Sequence, residues 1–289
     1  MVIGGGGREH CIMKALHRSN ADIYVLSGNR NPGMMRIAKD FLLHDPMDIE
    51  RVVSWAKSKS IELAVIGPEA PLGAGLTDEL MRVGISTFGP TKVAAQIETN
   101  KEYARNLMRE NKIPGLIDFW ILEDMKGFDE WAAEHDTEFV IKPVGLTSGK
   151  GVKVWGDHFN NKSEAASYVE EIVSKKIGGS SRFLVEEKAV GEEFSLQTFS
   201  DGKDVLPMPL AQDHKRAYEG DKGPNTGGMG SYSDSDHLLP FVSTSEYERA
   251  LEIMRMTVRA MANHGTPFRG CLYGGFINTS NGPKVIEFN

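Results

Sequence analysis

The sequence predicts two architectures in series: an α/β domain built on a parallel sheet, then an α+β region of grouped strands and helices. Three observations carry this. Short apolar runs alternate with amphipathic stretches through about the first hundred residues, the order of a parallel sheet with crossover helices. Three strand ends there read "GGGGRE", "SGNRNPG" and "GPEAPL", polar loops of the kind found at the carboxyl edge of such a sheet. Beyond Pro114 the alternation gives way to strand groups around single long helices.

"MVI" is the first strand and leads through glycines into "REHCIMKALHRS", helical by the spacing of Ile12, Met13 and Leu16. "ADIYVLSGN" is the second strand. "DIERVVSWAKSKS" is a helix with Val52, Val53 and Ala56 on one face. "IELAVIGPE" is a strand that stops at Gly67-Pro68. "GLTDELMRVG" is a helix and "ISTFGP" a short strand. The helix "NKEYARNLMREN" ends at Lys112 and Pro114, and a boundary just before it divides the chain into 1–98, an α/β substrate-binding domain, and 99–289. Next come "FDEWAAEH" (helix), "EFVIKPV" (strand), "GLTSGKG" (loop), "VKVW" (strand) and "SEAASYVEEIVSKK" (helix). "RFLVEEKAVGEEFSLQTFSDGKDVLPMP" reads as strands turning at Asp201-Gly202. "QDHKRAYEGDKGPNTGGMGSYS" is glycine-rich, charged and loop-like. "EYERALEIMRMTVRAMANHG" is a helix capped by Gly265, followed by a strand pair turning at Asn281-Gly282.

Composition narrows the function classes. Of 289 residues 40% are hydrophobic and 25% charged, values that suit a globular chain. A formal net charge of −7 argues against nucleic-acid binding, which wants a basic face. Cys11 and Cys271 lie far apart with no CxxC, so neither a thiol zinc site nor a disulfide scaffold is expected. No secretory signal precedes the first strand, and no run approaches the ~18 apolar residues of a spanning helix. A soluble protein of the reducing cytoplasm, with no membrane or nucleic-acid partner, is the expectation.

The chemistry concentrates in the second half. Lys142 lies in a strand, and Lys150 in a loop where Gly145, Gly149 and Gly151 let backbone amides approach a phosphate. Alone, "GKG" fits an ordinary lysine-bearing hairpin better. "VEEKAVGEEF" places Glu186 and Glu187 at the end of an apolar run and Glu193 after a glycine. A purine lying along Glu187–Ala189 takes one acceptor and one donor from the chain, with Glu193 on ribose hydroxyls. A solvated acidic turn fits that stretch alone better. Glu287 and Asn289, two apart on the last strand, share a face. One carboxylate and one amide oxygen suit Mg²⁺, which leaves its remaining positions to phosphates and water. An ordinary edge strand also fits.

The order of these features, lysine strand, glycine loop, acidic hinge and metal-binding strand, resembles the ATP-grasp fold. Seven stretches bring the chain closer to one family within it: "GGGGREH", "IGPEAPL", "FGPTKVAAQIETNKEYARNLM", "SGKGV", "VEEKAVGEEFS", "QDHKRAYEGDKGPNTGGMGSYS" and "KVIEFN". Across nearly its whole length the chain resembles the glycinamide ribonucleotide synthetase (phosphoribosylamine–glycine ligase) family. The resemblance implies a Rossmann-like N-terminal domain before a two-lobed ATP-grasp domain, its small lobe at about 115–187 and its large lobe the remainder. It implies a cytoplasmic carbon–nitrogen ligase of purine biosynthesis that uses ATP and Mg²⁺ (or Mn²⁺) to join glycine to 5-phosphoribosylamine through glycyl phosphate. The expected partners are small molecules alone, and the expected state is a monomer.

The same resemblance assigns residues. ATP falls to Lys101, Lys142, Gly149, Lys150, Gly151, Glu186, Glu187, Ala189 and Glu193. Catalysis falls to Lys150, Asp213, Lys215 and Arg216, whose charges serve glycine, the moving phosphoryl group and the sugar phosphate. Gly6, Gly7, Arg8 and Glu9 face the sugar phosphate substrate at a helix N-terminus, with Gly67, Pro68 and Glu69 beside them. Asn225, Thr226, Gly227 and Gly228 wrap the anionic ligands, and Glu287 and Asn289 hold the metal. Two departures stand out. The family continues past "IEFN" with an "RFGDPE"-like stretch and a small domain, both expected to be absent here. The preceding strand, "CLYGGFIN", lacks the carboxylate that often completes the superfamily's metal site.

Rival readings fare worse. A dinucleotide fingerprint fails because Glu9 stands where GxGxxG needs glycine, and the second strand ends "VLSGN" without an acidic residue. The alternative within the superfamily is another carboxylate-activating enzyme of purine biosynthesis. A non-catalytic nucleotide-sensing module is the third. The histidines read as surface or helical-turn residues, and Trp55, Trp120, Trp131 and Trp155 as packing.

Overall fold

Val2 and Ile3 form β1 (Val2–Ile3), only two residues long, yet it is central because it pairs on both sides, with Val25 and Leu26 and with Val65 and Ile66. The computed structural model describes residues 1–147, 151–220, 222–226 and 230–289, apart from the side chains of Pro224 and Asn225. Two units divide the chain: Met1–Ala95 with Gly265–Gly270, and Gln96–His264 with Cys271–Asn289.

In the first unit β1 is followed by α1 (Gly7–His17), β2 (Tyr24–Ser27), α2 (Pro32–Ile37), β3 (Asp40–Leu43), α3 (Ile49–Ser58), β4 (Leu63–Ile66), α4 (Glu69–Ala74), α5 (Leu76–Arg82) and β5 (Ser86–Phe88). The sheet runs β3-β2-β1-β4-β5, parallel throughout. Alternation sends Ile3, Leu26 and Ile66 to one face, against Val52, Trp55 and Leu80 of α3 and α5. It sends Val2, Val25 and Val65 to the other, against Met13 of α1 and Met34 of α2. Helices on both faces explain why these strands read as unbroken apolar runs. The chain leaves β1 and β4 on opposite sides of the strand order, so the loops after them flank the switch point where such sheets take ligands.

Three elements of this unit escape the sequence reading. α2 starts at Pro32 under an Asn31 cap, inside a stretch taken for loop. β3 is a half-buried edge strand. α4 runs through Pro71, which its first turn tolerates because the N–H that proline lacks has no partner there.

The second unit opens with α6 (Gln96–Thr99) and α7 (Lys101–Glu110), then β6 (Phe119–Leu122), α8 (Met125–Glu134), β7 (Phe139–Pro143), β8 (Lys153–Val154), α9 (Lys162–Lys175) and β9 (Phe183–Glu187). The strands form an antiparallel sheet, β6-β9-β7-β8. Phe139, Ile141, Phe183 and Val185 face α8 and α9, packed on Phe128, Trp131, Val169 and Ile172. The two-residue period therefore turns Lys142 and Glu186 to the opposite face.

A second sheet follows, with β10 (Glu192–Asp201) and β11 (Val205–Pro207). The glycine-rich segment, expected to be loop, folds its described parts into two small antiparallel pairs. β12 (Gln212–Asp213) meets β15 (Ser231–Tyr232), and β13 (Arg216–Tyr218) meets β14 (Lys222–Asn225). α10 (Thr244–Asn263), opened by a Ser243/Glu246 capping box, packs on β10 and on the last hairpin, β16 (Arg269–Thr279) and β17 (Gly282–Phe288). The sheet order is β11-β10-β16-β17.

Candidate functional site

The loops after β1, β2 and β4 are knitted together by their own side chains. Gly5 C=O accepts from Asn29 Nδ2 (3.3 Å) and Asn31 Nδ2 (3.2 Å), while Asn31 Oδ1 caps α2 by accepting from Gly33 and Met34. A Cβ on Gly5 would sit 2.1 Å from both Ser27 Oγ and Asn29 Oδ1, so only glycine lets the loops close this tightly. Arg8 is exposed and donates to Gly67 C=O at 2.8 Å.

Glu9, expected among the substrate-binding residues, lies in the first turn of α1. It is 6% exposed, accepts the Gly6 N–H at 2.6 Å, and lies against Gly67, whose added Cβ would meet Glu9 Oε1 at 2.0 Å. Its carboxylate closes the first turn of α1 and spaces two loops. Gly6 and Gly7 remain exposed at that N-terminus, and Glu69 is half-buried as the first residue of α4, behind Pro68. A helix N-terminus with bare amides and an adjacent arginine is suited to an anion.

In the second unit the centre is a buried ion cluster. Arg105 of α7 is 3% exposed and binds Glu186 through both ends of its fork, Nε to Oε1 at 2.7 Å and Nη2 to Oε2 at 3.0 Å. Lys142 Nζ lies 2.8 Å from Glu186 Oε2. Both cations also donate to the Ile286 carbonyl of β17, at 2.8 Å and 3.1 Å. Burial pushes the Glu186 carboxyl up, but the two cations outweigh it and hold the group at about 2. Lys101, at the start of α7, donates to Gly145 C=O at 2.9 Å. Burial and the neighbouring Lys142 lower its pKa, while Glu287 and Glu186 oppose them.

Glu287 of β17 and Asn289 just past its end are exposed, and the alternation that buries Phe288 puts them on one face. Asn289 exchanges both backbone bonds with Tyr273 (2.6 and 2.9 Å). Burial pushes the Tyr273 phenol up to about 12, with Lys215, Glu287 and Asp213 all within electrostatic reach. No group of three acidic, cysteine or histidine ligands occurs among the described residues. Glu287 and Asn289 therefore offer a two-oxygen platform, which fits a magnesium ion that keeps water and phosphate in its shell.

Two of the three predicted charges of the glycine-rich segment, Lys215 and Arg216, are already paired. Lys215 forms an ion pair with Glu193, and although burial lowers its pKa that carboxylate more than compensates. Arg216 donates to Asp157 at 2.7 Å and to Gly223 C=O at 3.0 Å. Thr226 donates twice to Lys215 C=O, and Asn225 pairs with Arg216 through its backbone. Asp213 is exposed on β12. Gly151 is buried, donating to Thr147 Oγ1 (3.2 Å) and accepting from the Tyr168 hydroxyl (2.7 Å). Glu187 is the last residue of β9, its N–H donating to Asp118 C=O, and Ala189 lies just beyond Lys188, whose N–H donates to Glu138 C=O. Gly149, Lys150, Gly227 and Gly228 lie outside the described residues.

The structure thus brings Lys101, Lys142, Glu186 and Glu287 into one electrostatic neighbourhood, and Glu193, Asp213 and Lys215 into another that shares Glu287. Sequence reasoning missed Arg105, Asn29, Asn31 and Tyr273. Arg105 did leave a signal: it falls among Ala104, Leu107 and Met108 on the apolar face of an amphipathic helix, where a charge demands a partner.

A family profile described as phosphoribosylglycinamide synthetase, N domain, matches residues 1–98, and the corresponding ATP-grasp (A) domain profile matches residues 99–289. A phosphoribosylamine–glycine ligase from Pyrococcus furiosus is 50% identical over 289 residues, all of this chain and 65% of that protein. The enzyme of that name from Methanothermobacter thermautotrophicus is also 50% identical, over 66% of its length. The crystal structure of a phosphoribosylamine–glycine ligase from Thermotoga maritima superposes with a TM-score of 0.81 at 27% identity, covering this whole chain and 67% of that one. The chain thus spans about two thirds of the length of these relatives.

Proposed function

We infer what this chain does from one premise: it belongs to the phosphoribosylglycinamide synthetase family. The proposed reaction is the ATP-dependent ligation of glycine to 5-phosphoribosylamine, giving glycinamide ribonucleotide, ADP and phosphate. The observation that supports it is the cluster on β7, β9, α7 and β17, where Lys101, Arg105 and Lys142 face Glu186 and Glu287, with Asn289 exposed beside Glu287.

A carboxylate is a poor electrophile, so glycine must first become an acyl phosphate, which the sugar amine then attacks with loss of phosphate. Lys142 and Lys101 offset the charge of the moving phosphoryl group. Glu287 and Asn289 hold Mg²⁺ (or Mn²⁺), which when bound neutralises phosphate charge. Glu187 and Ala189 offer backbone groups to adenine, and Glu193 its carboxylate to the ribose. Lys215 and Arg216 serve the substrate anions with Asp213 beside them, and Lys150 the phosphates. Thr226 and Asn225 brace the segment that keeps water from the acyl phosphate. In the N-terminal unit Gly6, Gly7 and Arg8 bind the sugar phosphate, Glu69 holds its hydroxyls or amine, and Glu9 fixes the loop. The setting proposed is a cytoplasmic monomer.

Among the described residues no helix is long and apolar enough to cross a membrane. The test is ADP release with a panel of acids and amines. Release that requires glycine and phosphoribosylamine together supports the reading. Release driven by formate or bicarbonate refutes it in favour of the other carboxylate-activating enzymes.

A further inference from the structure

Lys142 carries three N–H donors. One meets Glu186 at 2.8 Å and one the Ile286 carbonyl at 3.1 Å. Among the described residues the third meets no partner, although Lys142 is only 5% exposed. Glu186 lies on the same sheet face and is the only carboxylate in contact with that ammonium among the described ion pairs. Left to itself, a buried carboxylate pairs fully with its single cation, and the pair presents no net charge to an anion. Arg105 prevents this. Its fork occupies Oε1 outright and shares Oε2, and its second contact to Ile286 fixes the fork against β17.

We propose that Arg105 is a positioning residue that absorbs Glu186, so that Lys142 keeps both its excess charge and its free donor for a phosphate. This rests on the reading of Lys142 as a nucleotide group. Arg105 itself touches no ligand. It acts from α7 through the carboxylate, and its bidentate geometry is one that lysine cannot reproduce.

The consequence is a specific pattern of rescue. In Arg105→Met the freed Oε1 of Glu186 turns to Lys142 and neutralises it. Affinity for the Mg²⁺ complex of a non-hydrolysable ATP analogue, measured by calorimetry, should fall about tenfold or more, the scale of one charged hydrogen bond. In Arg105→Met/Glu186→Gln the competing carboxylate is gone, and most of that affinity should return although a second buried group has been altered. Arg105→Lys, which keeps the charge and loses the fork, should fall between wild type and Arg105→Met; it also serves as the probe should the methionine variant fail to fold. A purely structural role predicts the reverse order, with the double variant no tighter than the single.

Wild-type affinity in Arg105→Met, or in Arg105→Lys where only that variant folds, overturns the inference alone, as does a double variant no tighter than Arg105→Met. No analogue binding by the unaltered protein overturns the functional reading and this inference together.

Discussion

Gly67→Ala tests how the N-terminal unit is built. Gly67 is not among the residues with positive φ, so alanine meets no backbone strain there, and its whole cost is steric. The new Cβ would lie 2.0 Å from Glu9 Oε1 and 2.6 Å from its Cδ and Cγ. Glu9 is buried and must leave, losing its hydrogen bond to the Gly6 N–H at the start of α1. Loss of the cap costs about 1 kcal/mol. Forcing a methyl group into a packed site costs about 1–3 kcal/mol more. The expected destabilisation of this unit is therefore about 2–4 kcal/mol, which for roughly 100 residues is a fall of about 10–25 °C in its transition. Hydrogen exchange at β1 and β4 reads the unit separately, and phosphoribosylamine binding should weaken with it. Glu9→Ala/Gly67→Ala removes the clash and should recover all but the ~1 kcal/mol of the cap. A Gly67→Ala protein within about 0.5 kcal/mol of wild type, the range of a bland surface change, would refute the reasoning, and so would a double variant less stable than the single.

Three further outcomes follow from the second unit. Glu186→Gln leaves Arg105 and Lys142 buried without a counterion and should cost about 3–5 kcal/mol in urea unfolding. Because the folded carboxyl sits near 2, below its unfolded value, this stabilisation is present above about pH 4.5 and fades as the pH falls toward 2; the gap between wild type and Glu186→Gln should close over that window, and a gap that stays constant with pH contradicts the assignment. Glu287→Ala should cut turnover far more than it weakens ATP binding, and unchanged turnover in saturating Mg²⁺ would remove Glu287 from the metal site. Tyr168→Phe deletes the hydroxyl that holds Gly151 C=O at 2.7 Å, so KM for ATP should rise while stability falls by only about 1 kcal/mol; an unchanged KM would show that this anchor does not shape the loop.

Much of the parallel sheet was legible because burial on both faces leaves unbroken apolar runs such as Val2–Ile3 and Ala64–Ile66. β3 was not, since a half-exposed edge strand carries no such run, and α4 hid behind Pro71. That Glu287 and Asn289 share a face was readable from local spacing, because a period of two decides which side chains lie together. The Arg105–Glu186 pair joins residues 81 apart, and local periodicity carries no information about which buried charge meets which. The same limit hid the pairing of Lys215 with Glu193 and of Arg216 with Asp157, where the sequence offered four charges and no partners. The glycine-rich segment read as loop because its strand pairs are two to four residues long, too short for any periodic signal.

The most direct measurement is a crystal structure with Mg²⁺ and a non-hydrolysable ATP analogue. The account predicts a phosphate oxygen within hydrogen-bond distance of Lys142 Nζ and the metal ion on Glu287 and Asn289. A triphosphate bound at the α1 N-terminus instead, with Lys142 still enclosed by protein, would contradict it.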